Sequence, residues 1–167
     1  MPSARPNLVR AWWPSIVWIG LITFESTDYL SAQNTSSMLY GLLTRLFGPI
    51  DLYEFLYWHH LARKTGHVVG YAMLGLLLLR GFWMTFANRP GWARLLPVFA
   101  WLGTALVATM DEWHQSFIPS RTGTPWDVLL DSTAGLAALA LAYVALRRKA
   151  PPPSIKKLDR ELHQPRI

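Results

Sequence analysis

Four apolar runs alternate with polar stretches along this chain, each close to the roughly 20 residues a helix needs to cross the hydrocarbon of a bilayer. The first runs from Ala11 to Tyr29. Its apolar part, Trp12 to Phe24, is short, its last turn carries Glu25, Ser26 and Asp28, and Pro14 sits in the first turn, where a missing amide donor costs little. The second runs from Gly66 to Phe86, the third from Trp92 to Gln115 with Pro97 near its start, and the fourth from Pro125 to Leu146. Between the first two, Met38 to Phe47 and Leu52 to Leu61 are apolar and aromatic, broken at Gly48-Pro49. Pieces of about ten residues are too short to cross and predict interfacial or re-entrant helices. The pattern therefore predicts an all-α integral membrane protein. Its form is a four-transmembrane-helix bundle with short interfacial or re-entrant helices between the first and second spans. Residues 1–10 read as a tail, 11–146 as the membrane domain, and 147–167, behind Pro151-Pro152-Pro153, as a basic disordered tail. There is no internal repeat.

Composition supports that reading. Of 167 residues, 51% are hydrophobic, nine are Trp and only 16% are charged, against about 25% charged in soluble domains. The net charge of +6 does not point to nucleic acid, because the basic residues flank apolar runs instead of lining one helical face. Lys and Arg in that position are membrane anchors. Trp12, Trp13, Trp92, Trp113 and Trp126 lie near predicted helix ends, as an aromatic belt requires. The absence of Cys excludes disulfides, thiolate metal sites and Cys nucleophiles. The first run follows Arg5 and Arg10, but no small-residue cleavage pattern follows it, so it reads as an uncleaved span.

The basic residues also orient the chain. With the N-terminus inside, twelve of the sixteen Lys and Arg are cytoplasmic and only Arg45, Arg63, Lys64 and Arg121 lie outside. The positive-inside rule favours this arrangement. It predicts a multi-pass protein of the bacterial inner (cytoplasmic) membrane with both termini cytoplasmic.

The polar residues then gather at the outer face. Asp111-Glu112-Trp113-His114-Gln115 ends the third run, Arg121 lies in the following loop, and Asp127 and Asp131 open the fourth run one turn apart. Ionisable groups at a membrane segment are costly to desolvate and mark functional sites. At about 100° per residue, Asp111, His114 and Gln115 form one stripe with Glu112 beside it, and Trp113 and Phe117 point away. Asp127 and Asp131 share the face of Ala134, Gly135 and Ala138, small residues that suit close helix approach. Lys64, His67 and Tyr71 share a face of the second run, with Gly66 and Gly70 as a small-residue pair. Each group has a plainer explanation. Asp127 suits a helix N-terminus, Asp111 or Glu112 pairs with Arg121 or Lys64, and His67 packs. Their convergence on one face is what suggests a binding site.

Lys64-x-x-His67-x-x-x-Tyr71-x-x-Leu74, then Asp111-Glu112-x-His114-Gln115-x-Phe117-x-Pro119-x-Arg121, then Asp127-x-x-x-Asp131-x-x-x-Gly135 together resemble the VanZ-like membrane protein family. That family is named for an accessory protein of glycopeptide (teicoplanin) resistance. The family usually has Gly before the loop arginine; Ser120 stands there in this chain. The resemblance implies a four-span protein of the cell envelope, without supplying a reaction.

Three function classes stay open. In the first, the site binds or modifies an isoprenoid- or phosphate-linked envelope lipid, or a lipoglycopeptide such as teicoplanin, with Arg121, Lys64 and protonated His67 or His114 on the anionic group. In the second, the chain is a divalent-metal or acid/base hydrolase of such lipids. His67, Asp111, Glu112, His114 and Asp127 are then candidate ligands, and Asp111, Glu112 and His114 candidate catalytic groups. No H-E-x-x-H spacing is present, and His59 and His60 are adjacent. In the third, buried Asp and His residues are relay groups of a small proton-coupled transporter; a membrane scaffold without a ligand is the plain alternative.

Overall fold

In the computed structural model, which describes residues 7–89, 91–121 and 123–149, every regular element is helical. The order is α1 (Leu8–Glu25), a 3-10 turn at Asp28–Leu30, α2 (Ala32–Phe47), α3 (Leu52–Phe86), a 3-10 turn at Trp92–Arg94, α4 (Leu96–Gln115) and α5 (Pro125–Lys149). The all-α expectation holds. Among the described residues two helices, α3 and α5, are both long and apolar enough to be candidate membrane spans; α1 and α4 are shorter, at 18 and 20 residues, and more polar at their ends.

The local boundaries follow from capping chemistry. The Asn7 side chain accepts the Arg10 amide at 3.1 Å and starts α1 three residues earlier than the apolar run suggests. Asp51 accepts the Glu54 amide at 2.8 Å and starts α3. Gly48, at φ 87°, stops α2 in a backbone conformation open to glycine. Thr124 begins α5: its hydroxyl accepts the Asp127 amide at 3.2 Å and donates to Asp127 Oδ2 at 3.0 Å, with Pro125 in the first helical position.

The segment Leu52–Leu61 is not a separate short helix. It is the N-terminal part of α3, which runs 35 residues without a break. The joining residues Ala62-Arg63-Lys64-Thr65 contain no Pro or Gly, and three of them, Ala62, Arg63 and Lys64, are strong helix formers, so nothing ends the helix there. Met38–Phe47 does belong to a separate helix, α2, which packs against α3 through the ring pair Tyr40–Phe55.

α3 is the central element and touches α1, α2, α4 and α5. α1 and α4 run antiparallel to it and α5 parallel. At one end Trp12 Nε1 donates to Thr85 Oγ1 at 3.1 Å, and Arg80 caps the Arg10 and Ala11 carbonyls. Midway, α3, α4 and α5 come close at Gly75, Thr104 and Gly135. A Cβ on Gly135 would lie 2.7 Å from Thr104 Cγ2, and one on Gly75 would lie 3.3 Å from the Gly135 carbonyl. A Cβ on Gly66 or Gly70, the expected small pair on α3, would meet almost nothing; the close-packing glycines of α3 are Gly75, against Gly135, and Gly81, against the Trp12 ring. Tyr71, Leu74 and Thr104 are fully buried in this seam, and the outer faces expose Ile16, Val17, Leu102, Leu106, Leu136 and Leu141.

Candidate functional site

Because α3 is continuous, His60, Arg63, Lys64, His67 and Tyr71 recur every three or four residues on one face. Lys64 Nζ pairs with Asp127, and His67 Nδ1 lies 3.3 Å from Asp131 Oδ2. Arg63 donates to the Leu30 carbonyl at 2.8 Å, which ties α3 to the turn after α1. The expectation placed Lys64, His67 and Tyr71 together correctly. It missed His60 and Arg63, because it broke the helix between Leu61 and Gly66 and so lost the phase that carries them onto the same face.

α4 brings the second set. Its buried arc is Thr104, Ala108, Asp111, Glu112 and Gln115. Asp111 is fully engaged: one oxygen accepts the Ser26 hydroxyl, and the other accepts the Tyr71 hydroxyl and Gln115 Nε2, each at 3.1 Å. Gln115 also reaches Ser26 Oγ at 3.3 Å. This network joins the ends of α1, α3 and α4. Glu112 points elsewhere and accepts the Thr124 amide at 2.9 Å. His114 is exposed. The expected stripe of Asp111, His114 and Gln115 is therefore rotated: at about 100° per residue the arc centred on Ala108 takes in Glu112 and leaves His114 outside.

The described loop residues after α4, 116–121 and 123–124, close the end of the bundle. Arg121 donates through Nη2 to the Glu25 carbonyl and, at 2.9 Å, to the Thr27 carbonyl, capping the end of α1, while its Nε is buried without a partner. Burial lowers the Arg121 pKa from its ordinary value, and the nearby Arg63 adds to the effect, though a guanidinium stays charged. Ser120, at the position where the resembling family has Gly, donates to Asp28. A Cβ on Gly123 would overlap the Glu112 carbonyl, so glycine lets the loop lie against α4 and deliver the Thr124 amide to Glu112.

Between these elements lies a cavity of about 130 Å³, lined by Ala32, His60, Arg63, Lys64, His67, Glu112, Gln115, Ser120, Arg121 and Asp127. Of the ten residues expected to form the site, six line it: Lys64, His67, Glu112, Gln115, Arg121 and Asp127. Asp131 lies behind the wall, fully buried. Asp111 and Tyr71 face a separate small void of about 10 Å³ beside Ser26 and His67. Among the described residues, His67, Glu112 and Asp131 offer ligand atoms all within 4.8 Å of one another, a grouping able to hold a metal ion. Of the expected ligands, His67 and Glu112 belong to it; Asp111, His114 and Asp127 do not, and Asp131 takes their place.

Neither a curated protein nor a solved structure matches the chain. The sequence profile of one family, VanZ/LLP1, matches residues 11–146, a stretch that contains α4, the site loop and nearly all of α1 and α5. The chain belongs to the VanZ/LLP1 family.

Proposed function

We propose that this chain is a four-span protein of the bacterial cytoplasmic membrane with both termini in the cytoplasm, and that its cavity opens outward to receive the phosphate head group of an isoprenoid-linked envelope lipid. The observation that carries this reading is the set of basic side chains that line the cavity, Arg63, Lys64 and Arg121. Guanidinium groups suit phosphate because they present a planar fork of donors.

Helix lengths support the four spans. α1 and α4 measure about 27 and 30 Å at 1.5 Å per residue, close to the hydrocarbon thickness of about 30 Å. Their polar residues collect at the cavity end, and their outer faces expose Ile16, Val17, Leu102 and Leu106, which suits contact with acyl chains. α3 exceeds the hydrocarbon thickness, so its first turns continue into the interface. Tyr53, Tyr57 and Trp58 of these turns and Leu42 and Phe47 of α2 are exposed and offer a surface for a lipid tail.

Size separates the two ligands suggested by the sequence. A cavity of about 130 Å³ is well below the roughly 300–1,000 Å³ that encloses drug-sized molecules. It takes a phosphate head group and only a fragment of a lipoglycopeptide. A role in teicoplanin resistance therefore runs through the envelope lipid in this reading.

The test is capture of polyprenyl phosphate, beside the unphosphorylated polyprenol, by the immobilised protein in micelles of neutral detergent. The expected result is retention that needs the phosphate, falls with added salt and drops about tenfold or more in Arg63→Gln. Equal retention of polyprenol and polyprenyl phosphate would count against the reading.

A further inference from the structure

We propose that His67, Glu112 and Asp131 hold one divalent cation in the inner wall of the cavity, with an open coordination position facing the cavity. The phosphate oxygen that would fill this position rests on the head-group reading above; the cation site itself does not.

Three helices supply the ligands. Each offers one atom, and all three lie within 4.8 Å of one another. Bonds of about 2.0–2.2 Å to imidazole nitrogen and carboxylate oxygen at tetrahedral angles place ligand atoms roughly 3.3–3.6 Å apart, so closure takes side-chain rotations that bring the more distant atoms in by about 1 Å. The backbones need not move. They are fixed by the Gly75–Thr104–Gly135 contact along the same seam.

Asp131 provides an independent indication. It is fully buried, its Oδ2 has only the 3.3 Å contact with His67 Nδ1, and its Oδ1 has no hydrogen-bond partner. Charge-assisted bonds between nitrogen and carboxylate run about 2.7–2.9 Å, so the contact to His67 is long. A buried carboxylate oxygen left without a partner is costly, and a cation supplies the partner that Oδ1 lacks. Glu112 is oriented for the same role. The Thr124 amide holds its Oε2 at 2.9 Å, the kind of outer hydrogen bond that fixes a metal-ligating carboxylate.

The open position follows from the lining. His67 and Glu112 reach the cavity and Asp131 closes the back. Three protein ligands with one free position is the arrangement of a reactive, exchangeable site. One imidazole with two carboxylates suits Zn²⁺ or Mn²⁺. The two carboxylates also offset the charge of the cation, leaving Arg63 and Arg121 to face an anion.

The protein in micelles, stripped with chelator and titrated with Zn²⁺ or Mn²⁺ alone, tests the site by calorimetry and metal analysis. The expected result is about one equivalent per chain, with Glu112→Gln and Asp131→Asn each weakening affinity about tenfold or more and His114→Ala leaving it unchanged. Co²⁺ should add visible absorption bands that disappear in Glu112→Gln. No saturable uptake, or equal affinity in Glu112→Gln, overturns the proposal. Where Asp131→Asn does not fold, Glu112→Gln alone decides. Retention of polyprenyl phosphate by a protein that takes up no cation overturns the cation site and leaves the head-group reading standing.

Discussion

The Tyr71 hydroxyl donates to Asp111 Oδ2 at 3.1 Å, and both residues are buried where α1, α3 and α4 meet. Asp111 also accepts from Ser26 and Gln115, so its acceptor capacity is filled from three sides. Tyr71→Phe removes one donor and should cost about 1 kcal/mol of stability. Asp111→Ala strands three donors and should cost about 3 kcal/mol or more. Denaturant unfolding in mixed micelles reads both. The expected order is Asp111→Ala well below Tyr71→Phe; equal losses would mean that Asp111 is not the hub of the network.

The helix seam makes a second prediction. A methyl on Gly135 would stand 2.7 Å from Thr104 Cγ2, so Gly135→Ala should destabilise by about 1–3 kcal/mol through overpacking. Thr104→Ser deletes that methyl and keeps the hydroxyl that donates to the Ala100 carbonyl at 2.9 Å. The double variant should recover much of the loss, and a double-mutant cycle measures the coupling. Strictly additive losses would argue against the close approach of α4 and α5.

Gly123 predicts a local effect of the same kind. Its substitution by Ala should push the loop off the Glu112 carbonyl and break the Thr124–Glu112 bond at 2.9 Å. Polyprenyl phosphate retention should fall while the fold persists, because the core contacts of α3, α4 and α5 lie elsewhere. Unchanged retention would detach this loop from the function of the cavity.

The orientation is open to a clean labelling experiment, since the chain contains no Cys. Ser37 in α2 and Asn88 after α3 are both exposed. In the proposed topology, Ser37→Cys reacts with a membrane-impermeant maleimide in intact spheroplasts, and Asn88→Cys reacts only after permeabilisation. The reverse pattern would place the cavity in the cytoplasm.

How much of the site was legible depends on whether the needed information was local. Lys64, His67, Asp127 and Asp131 could be placed from spacing alone, because i, i+3 and i+4 neighbours share a helix face whatever the helix packs against. His60 and Arg63 were also legible in principle, through the same periodicity, once Ala62-Arg63-Lys64-Thr65 is read as uninterrupted helix. His114 was misplaced for a different reason. A helical wheel fixes the angles between residues but not which angle faces inward. That phase is set by Thr104 and Ala108 packing into the seam.

The sequence by itself determined an all-helical chain, the positions of its apolar runs, the charge asymmetry along it and the polar blocks that carry the family resemblance, because periodicity and composition are local properties. Tertiary structure decided the rest. It chose Gly75 and Gly81 over Gly66 and Gly70 as the close-packing glycines of α3, turned Glu112 inward and His114 outward, and left Asp131 Oδ1 buried without a partner beside His67 and Glu112. The physical reason is that side chains from α3, α4 and α5 meet only after three backbones have been brought together. That distance depends on the absence of a methyl group at Gly75 and Gly135, far apart in the chain, and no window along the sequence contains both.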